Sequence, residues 1–207
     1  MTVSCPLPRR GEIWRLRVAH ARDLRMICEA NALKCKATAS IAEGVESGLA
    51  LMANLQYLTV QDMLWINLQT TKKVQHFQYA KLEEATFYQY GYGAGTGLIS
   101  QAARFLTGFI RMHPFEAGNE ATALIGCVTF LRLNGYCLGI SDEGAVQWLD
   151  GILTHQVTAI DAVTKAATPI EGFHAPQQPD IKGNILDVVG SFEKTVGELS
   201  NRSAMAK

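Results

Sequence analysis

The stretch His113-Pro114-Phe115-Glu116-Ala117-Gly118-Asn119-Glu120-Ala121-Thr122-Ala123-Leu124 organises the reading of this chain, together with Phe130-Leu131-Arg132-Leu133-Asn134-Gly135-Tyr136 further on. Before it, Leu98 to Met112 places Phe105, Phe109 and Ile110 at helical spacing, so His113 stands at the end of a strongly apolar helix. After it, Asn119 has the side chain of an N-cap, and Glu120 sits where the helix dipole favours an acid. The helix that they open should run from Glu120 to about Leu133, and Asn134-Gly135 suits a left-handed C-terminal cap.

Helical periodicity extends outward on both sides. Thr59-x-x-Asp62 resembles a capping box that opens an amphipathic segment from Val60 to Leu68. Gln69 to Lys81 is polar and reads as an exposed loop or hairpin, and Leu82 to Tyr90 as a further helix. The run Gly91-Tyr92-Gly93-Ala94-Gly95-Thr96-Gly97 lacks the lysine of a P-loop and does not follow a strand, so it reads as a turn. Ser141 should start a helix through about His155, and Thr158-x-x-Asp161 another. Pro169, Pro176 and Pro179 mark a linker over 169–183. Asn184 then caps a last amphipathic helix with Ile185, Val188, Val189, Phe192, Val196 and Leu199 on one side. Before the central region, 19–32 and the glycine-interrupted 37–55 also read as helices, with Trp14 to Val18 as the one strand-like alternation.

Composition bounds the class. The chain has 207 residues with 48% hydrophobic residues and balanced charge, which fits one folded domain with short extensions and argues against disorder. The balance conceals an asymmetry: residues 1–36 hold eight basic residues against three acidic ones, a net +5, and the remainder carries −5. Such a basic arm binds nucleic acid or an acidic partner, or docks on its own acidic body. Five cysteines without paired C-x-x-C spacing read as reduced thiols rather than a zinc site, and there is no membrane span or signal peptide pattern. The expectation is a cytoplasmic protein.

The two quoted strings resemble the signature of the Fic/Doc (Fido) family, especially its death-on-curing branch, whose pattern is H-P-F-x-[D/E]-[G/A]-N-[K/G]-R-T-A-L followed by F-L-R-L-N-G-Y. His113, Pro114, Phe115, Gly118, Asn119, Thr122, Ala123 and Leu124 match it. The resemblance implies an all-α, Fic/Doc-type helical bundle. It divides the chain into a basic N-terminal helical extension at 1–56, a Fic/Doc-like domain at 57–168, the linker at 169–183 and a C-terminal helix at 184–207. It also implies ATP with Mg²⁺, and transfer of AMP or phosphate to a protein hydroxyl. His113 would be the general base, as a neutral imidazole can be. Phe115, Gly118, Asn119 and Glu120 would form the nucleotide-binding turn, with backbone N–H groups at a helix N-terminus facing phosphate.

The sequence departs from the pattern where the charges belong. Ala117 replaces the metal-binding acid, Ala121 the phosphate-binding arginine, and Glu120 the usual Lys or Gly, so no metal ligand is assigned. One lost transition-state contact of this kind costs about 3 kcal/mol. ATP and Mg²⁺ binding is therefore expected to be weak or absent, and catalysis impaired. Each retained residue also has a structural reading: His113 ends a helix, Phe115 is core, and Asn119 with Glu120 starts the next helix. Ser40-Ile41-Ala42-Glu43-Gly44 resembles the family's inhibitory helix one residue out of register, but the arginine that it would engage falls at Leu124, so it reads as a packing helix.

Three functions are open at this point. The first is a degenerate death-on-curing-like protein that binds a protein partner, an antitoxin-like chain or a target. The second is an active adenylyltransferase or kinase with a rearranged site, and the third is nucleic-acid binding through the basic arm. Homo-oligomerisation is compatible with all three, and the tail from Asn184 to Leu199 could itself fold back into the partner groove.

Overall fold

The helix that carries the second half of the motif, α4, fixes the plan of the fold. In the computed structural model, which describes residues 55–91 and 97–205, it spans Asn119–Leu133, and every residue from Ala121 to Leu131 is buried. Its sequence is apolar all round, as befits a helix with no solvent face. Around it lie α1 (Val60–Thr71), α3 (Leu98–Met112), α7 (Ile181–Ser191) and α8 (Glu193–Met205), which pack directly on it. α2 (Tyr79–Phe87) and α6 (Ala159–Ala166) flank α3, and α5 (Asp142–Leu153) lies against α8. The two short strands, β1 (Tyr136–Leu138) and β2 (Ala167–Pro169), pair antiparallel with Cys137 opposite Thr168. The fold is all-α, with eight helices among the described residues. None of these helices is long and apolar enough to cross a membrane. The basic arm, the Ser40 to Gly44 segment, the helices read within 19–55 and most of the glycine run lie outside the described residues.

Local signals account for most helix starts. The Thr59 hydroxyl accepts from the Asp62 amide, and the Asp62 carboxylate accepts from the Thr59 amide, which completes the capping box of α1. Ser141 caps α5 and Thr158 caps α6. Asn134 ends α4 and Gly135 follows at φ 82, the left-handed turn that its glycine permits. α3 presents an apolar stripe in which Phe105 and Phe109 are fully enclosed and meet edge to face at 5.8 Å. Cys127 faces the same core, where burial pushes its thiol up to about 12; it and the exposed Cys137 are free cysteines.

Several boundaries differ from the sequence reading. α1 continues through Thr71 because the hydroxyls of Thr70 and Thr71 turn back to the Asn67 carbonyl, so the polar loop is only 72–78 and α2 begins at Tyr79. α2 stops at Phe87 rather than Tyr90, and α5 at Leu153 rather than His155. The β1–β2 pair was unmarked by any alternation, since three-residue strands are too short to show a period of two. In the tail, Asp180 rather than Asn184 caps α7, accepting from the Gly183 amide.

The expected single tail helix is two helices, broken at Phe192. Its apolar side survives the break: Ile185, Val188, Phe192, Val196 and Leu199 are all buried. The break occurs where α8 meets the start of α5. There the Asp142 carboxylate accepts from the Lys194 and Thr195 amides at 2.9 and 2.8 Å, and the Thr195 hydroxyl donates to the Asp142 carbonyl at 2.6 Å. A side chain from another helix thus satisfies the orphan donors of the α8 first turn. Lys194 pairs with Glu143, and Arg202 grips Asp150 with both terminal nitrogens.

Burial pushes the Asp142 carboxyl up, but the hydrogen bonds from Thr195 and Lys194 outweigh it and leave the group below its ordinary value. A carboxyl lowered in the folded state contributes stability above its unfolded pKa, and loses it as pH falls through the folded value. Asp142→Ala should therefore destabilise the protein by about 1 kcal/mol at neutral pH, the usual worth of a cap, and the difference from wild type should shrink as pH drops below about 4. Thermal unfolding of both proteins across pH checks this.

Candidate functional site

The motif begins where α3 stops. His113 takes the left-handed conformation at φ 45, its amide bonds the Ile110 carbonyl, and its ring is exposed. The chain then turns inward. Pro114 and Phe115 are buried, and the Phe115 ring lies 6.2 Å from Phe109 and 6.1 Å from Phe77. Beside them the loop after α1 runs antiparallel to the motif: the Gln78 amide donates to the Pro114 carbonyl and the Glu116 amide to the His76 carbonyl, both at 2.9 Å.

Three polar side chains hold the turn into α4. Asn119, expected as the N-cap, instead occupies the first helical turn with Gly118 in the cap position. Its amide points back, accepting from the Phe115 amide at 3.0 Å and donating to the Phe115 carbonyl at 2.8 Å. Asn67, buried on α1, donates to the Ala117 carbonyl and to the Thr122 hydroxyl, each at 3.0 Å. The Thr71 hydroxyl lies 2.8 Å from both the Asn67 and Lys73 carbonyls, which locks the end of α1 to the loop after it. Asn67 and Thr71 were missed in the sequence. The available signal was a pair of polar residues continuing the face that Met63 and Ile66 bury.

Gly118 is the point of closest approach. Its φ is 76, and a Cβ there would lie 2.4 Å from Thr71 Cγ2. Glycine is required both by the backbone conformation and by the neighbour.

All five residues assigned to the site from the sequence, His113, Phe115, Gly118, Asn119 and Glu120, fall on this one loop and helix start. His113 is exposed, and Glu120 is half-exposed in the first turn of α4. Phe115 and Asn119 are buried and face inward. Ala117 is half-buried and Ala121 wholly enclosed. A hollow of about 450 Å³ opens next to Phe115, between α1 and the loop after it, and is lined by Leu64, Trp65, Lys73 and Phe77 among others.

A magnesium-bound nucleotide does not fit the residues present. Ala117 offers no oxygen for a cation, Ala121 offers no positive charge, and Glu120 adds a negative one at the helix N-terminus where a phosphate would otherwise be favoured. Among the described residues no group of three or more His, Cys, Asp or Glu side chains could hold a metal ion.

The model of the Fic/DOC family matches residues 50–131, which span α1 to α4 and contain the whole motif turn. The matched stretch, 82 of the 207 residues, is thus similar to the Fic/DOC family, and the all-α architecture around it is consistent with a Fic/Doc-type fold. No curated protein and no solved structure matches the chain.

Gly118→Ala should cost about 1–3 kcal/mol from the left-handed backbone alone, and more from the contact with Thr71. Adding Thr71→Ser removes the offending methyl and keeps the hydroxyl, so the double variant should recover the steric part and retain the backbone part. Asn67→Ala should cost a further 1–3 kcal/mol or so by leaving the Thr122 hydroxyl and the Ala117 carbonyl short of a donor. Denaturant unfolding of the four proteins measures each step.

Proposed function

We propose that this protein is a death-on-curing-like member of the Fic/Doc family whose ATP-dependent transfer to a protein hydroxyl is lost or impaired, and that it works mainly by binding another protein. One observation carries the reading: the motif turn keeps its shape through contacts that need no ligand, while its two charge-bearing positions are Ala117 and Ala121. The Asn119 amide is spent on Phe115, and Asn67 holds the Ala117 carbonyl.

Protein binding is supported by the surface beside the turn. Val74 is 88%, Tyr79 59% and Phe77 42% exposed, all on or next to the loop that pairs with the motif. Three large exposed apolar side chains within six residues of one loop edge favour an interaction surface there.

The test is unfolding with and without millimolar ATP and Mg²⁺, combined with label transfer. Ligand at its Kd stabilises by about 0.4 kcal/mol, and at a thousandfold excess by about 4 kcal/mol. The wild type should show no resolvable shift, and should transfer no label from α- or γ-labelled ATP to proteins of a lysate. Transfer that disappears in His113→Ala would overturn the proposal in favour of an active enzyme. Because Ala121 is enclosed, the informative gain-of-binding variant is Ala117→Asp with Glu120→Lys, which leaves the buried position alone.

A further inference from the structure

Arg104, Thr107, Gly108 and Arg111 lie along one strip of α3, at the three- and four-residue spacing that aligns side chains on a helix. Facing this strip are Ile152 and Leu153 from the end of α5, and Val157 and Ala159 at the start of α6. Between the two walls is a cleft of about 700 Å³, in the size range of small-molecule sites. None of its lining residues belongs to the motif from His113 to Leu124.

Among the described residues the charged side chains that line the cleft are of one sign. Arg104 and Arg111 line it together with His155, and no acidic side chain among the described residues does. Acids on the flanking elements have other partners: Asp150 is gripped by Arg202, and Asp161 accepts from the Thr158 hydroxyl. Glu84 shares a smaller adjoining hollow with Arg104, and the Arg104 guanidinium is already engaged with the carbonyls of Tyr88 and Tyr90. Arg111 is different, because among the described residues it makes no ion pair.

Arg111 is also held in place. Its guanidinium carbon lies 5.7 Å from the centre of the Tyr88 ring, and one nitrogen donates to the Tyr88 hydroxyl at 2.9 Å. Tyr88 is itself fixed against Gly108, where a Cβ would approach its ring to 2.5 Å. Of five guanidinium N–H groups, Tyr88 uses one, which leaves a planar set of donors suited to a bidentate oxyanion. The opposite wall is branched aliphatic, the surface on which an apolar body of a ligand would lie.

We propose that the cleft between α3 and the α5–α6 turn binds a small amphiphilic anion, a carboxylate or phosphate ester carried on an aromatic or branched apolar body, with Arg111 as its counter-charge. The site is separate from the function proposed above, and its failure would leave that reading untouched.

The test is methyl-observed NMR on the full chain, with phenyl phosphate, benzoate, inorganic phosphate and benzyl alcohol as probes. Phenyl phosphate, benzoate or both should saturably shift the methyls of Ile152, Leu153 and Val157, and which of them does so tells phosphate from carboxylate. Arg111→Gln should weaken that anion by roughly tenfold or more and leave benzyl alcohol unchanged. Arg111→Lys, which keeps the charge without the planar fork, should fall between. The proposal is overturned if neither aryl anion shifts these methyls at millimolar concentration, or if Arg111→Gln binds them as well as wild type. Competition by inorganic phosphate as strong as that by phenyl phosphate would overturn the apolar half of it.

Discussion

A helix enclosed on every side leaves its first turn no solvent in which to place its polar groups. α4 is such a helix, buried from Ala121 to Leu131, and the motif before it takes its shape from that enclosure. The chain has to enter a packed interior, reverse direction after α3 and present its amides to partners within a few residues. Asn119 reaches back to Phe115, Asn67 reaches across from α1 to Ala117 and Thr122, and Gly118 passes Thr71 where no side chain fits. Each contact depends on the others, because Asn67 meets Ala117 only while α1 packs on α4, and α1 packs there only while Gly118 lets the turn close.

This mutual dependence separates what was legible in the sequence from what was not. Caps whose side chain bonds an amide three residues ahead were readable at Thr59, Ser141 and Thr158, since donor and acceptor lie within one window. The apolar stripes of α3 and of the tail were readable for the same reason, as periodicity is a local property. Asn119 has the residue type of a cap, but the amide of Phe115 competes for it from behind and wins, because Phe115 is buried and its polar groups have to be satisfied. The tail break at Phe192 depends on Asp142, fifty residues earlier in the chain, and no pattern within 184–199 announces it. Among the site residues, the loop from His113 to Glu120 was legible as a unit, whereas Asn67 and Thr71 became visible only when α1 was placed against it.

The same reasoning bears on what the retained motif residues mean. In an enzyme of this fold they would serve chemistry and architecture together, and the two roles cannot be told apart while both are present. In this chain Ala117 and Ala121 carry no charge, and the turn is closed by Asn119, Asn67 and Thr71. Phe115, Gly118 and Asn119 are accounted for by packing, backbone conformation and hydrogen bonds alone, so their presence carries no weight for or against nucleotide chemistry.

His113 is the exception. It is exposed, it holds a left-handed φ of 45 that asparagine or glycine adopts more readily, and no hydrogen bond among the described residues engages its ring. The helix end requires the backbone conformation but not an imidazole. An exposed ring in a costly conformation, set on a turn that Asn67, Thr71 and Asn119 hold by hydrogen bonds, is available to whatever approaches the loop. The exposed Val74, Phe77 and Tyr79 belong to the adjoining loop, so the imidazole stands near the apolar surface that a partner protein would cover. In that setting the imidazole offers a hydrogen-bonding group to a protein laid on the loop, which is what the proposed binding role asks of it.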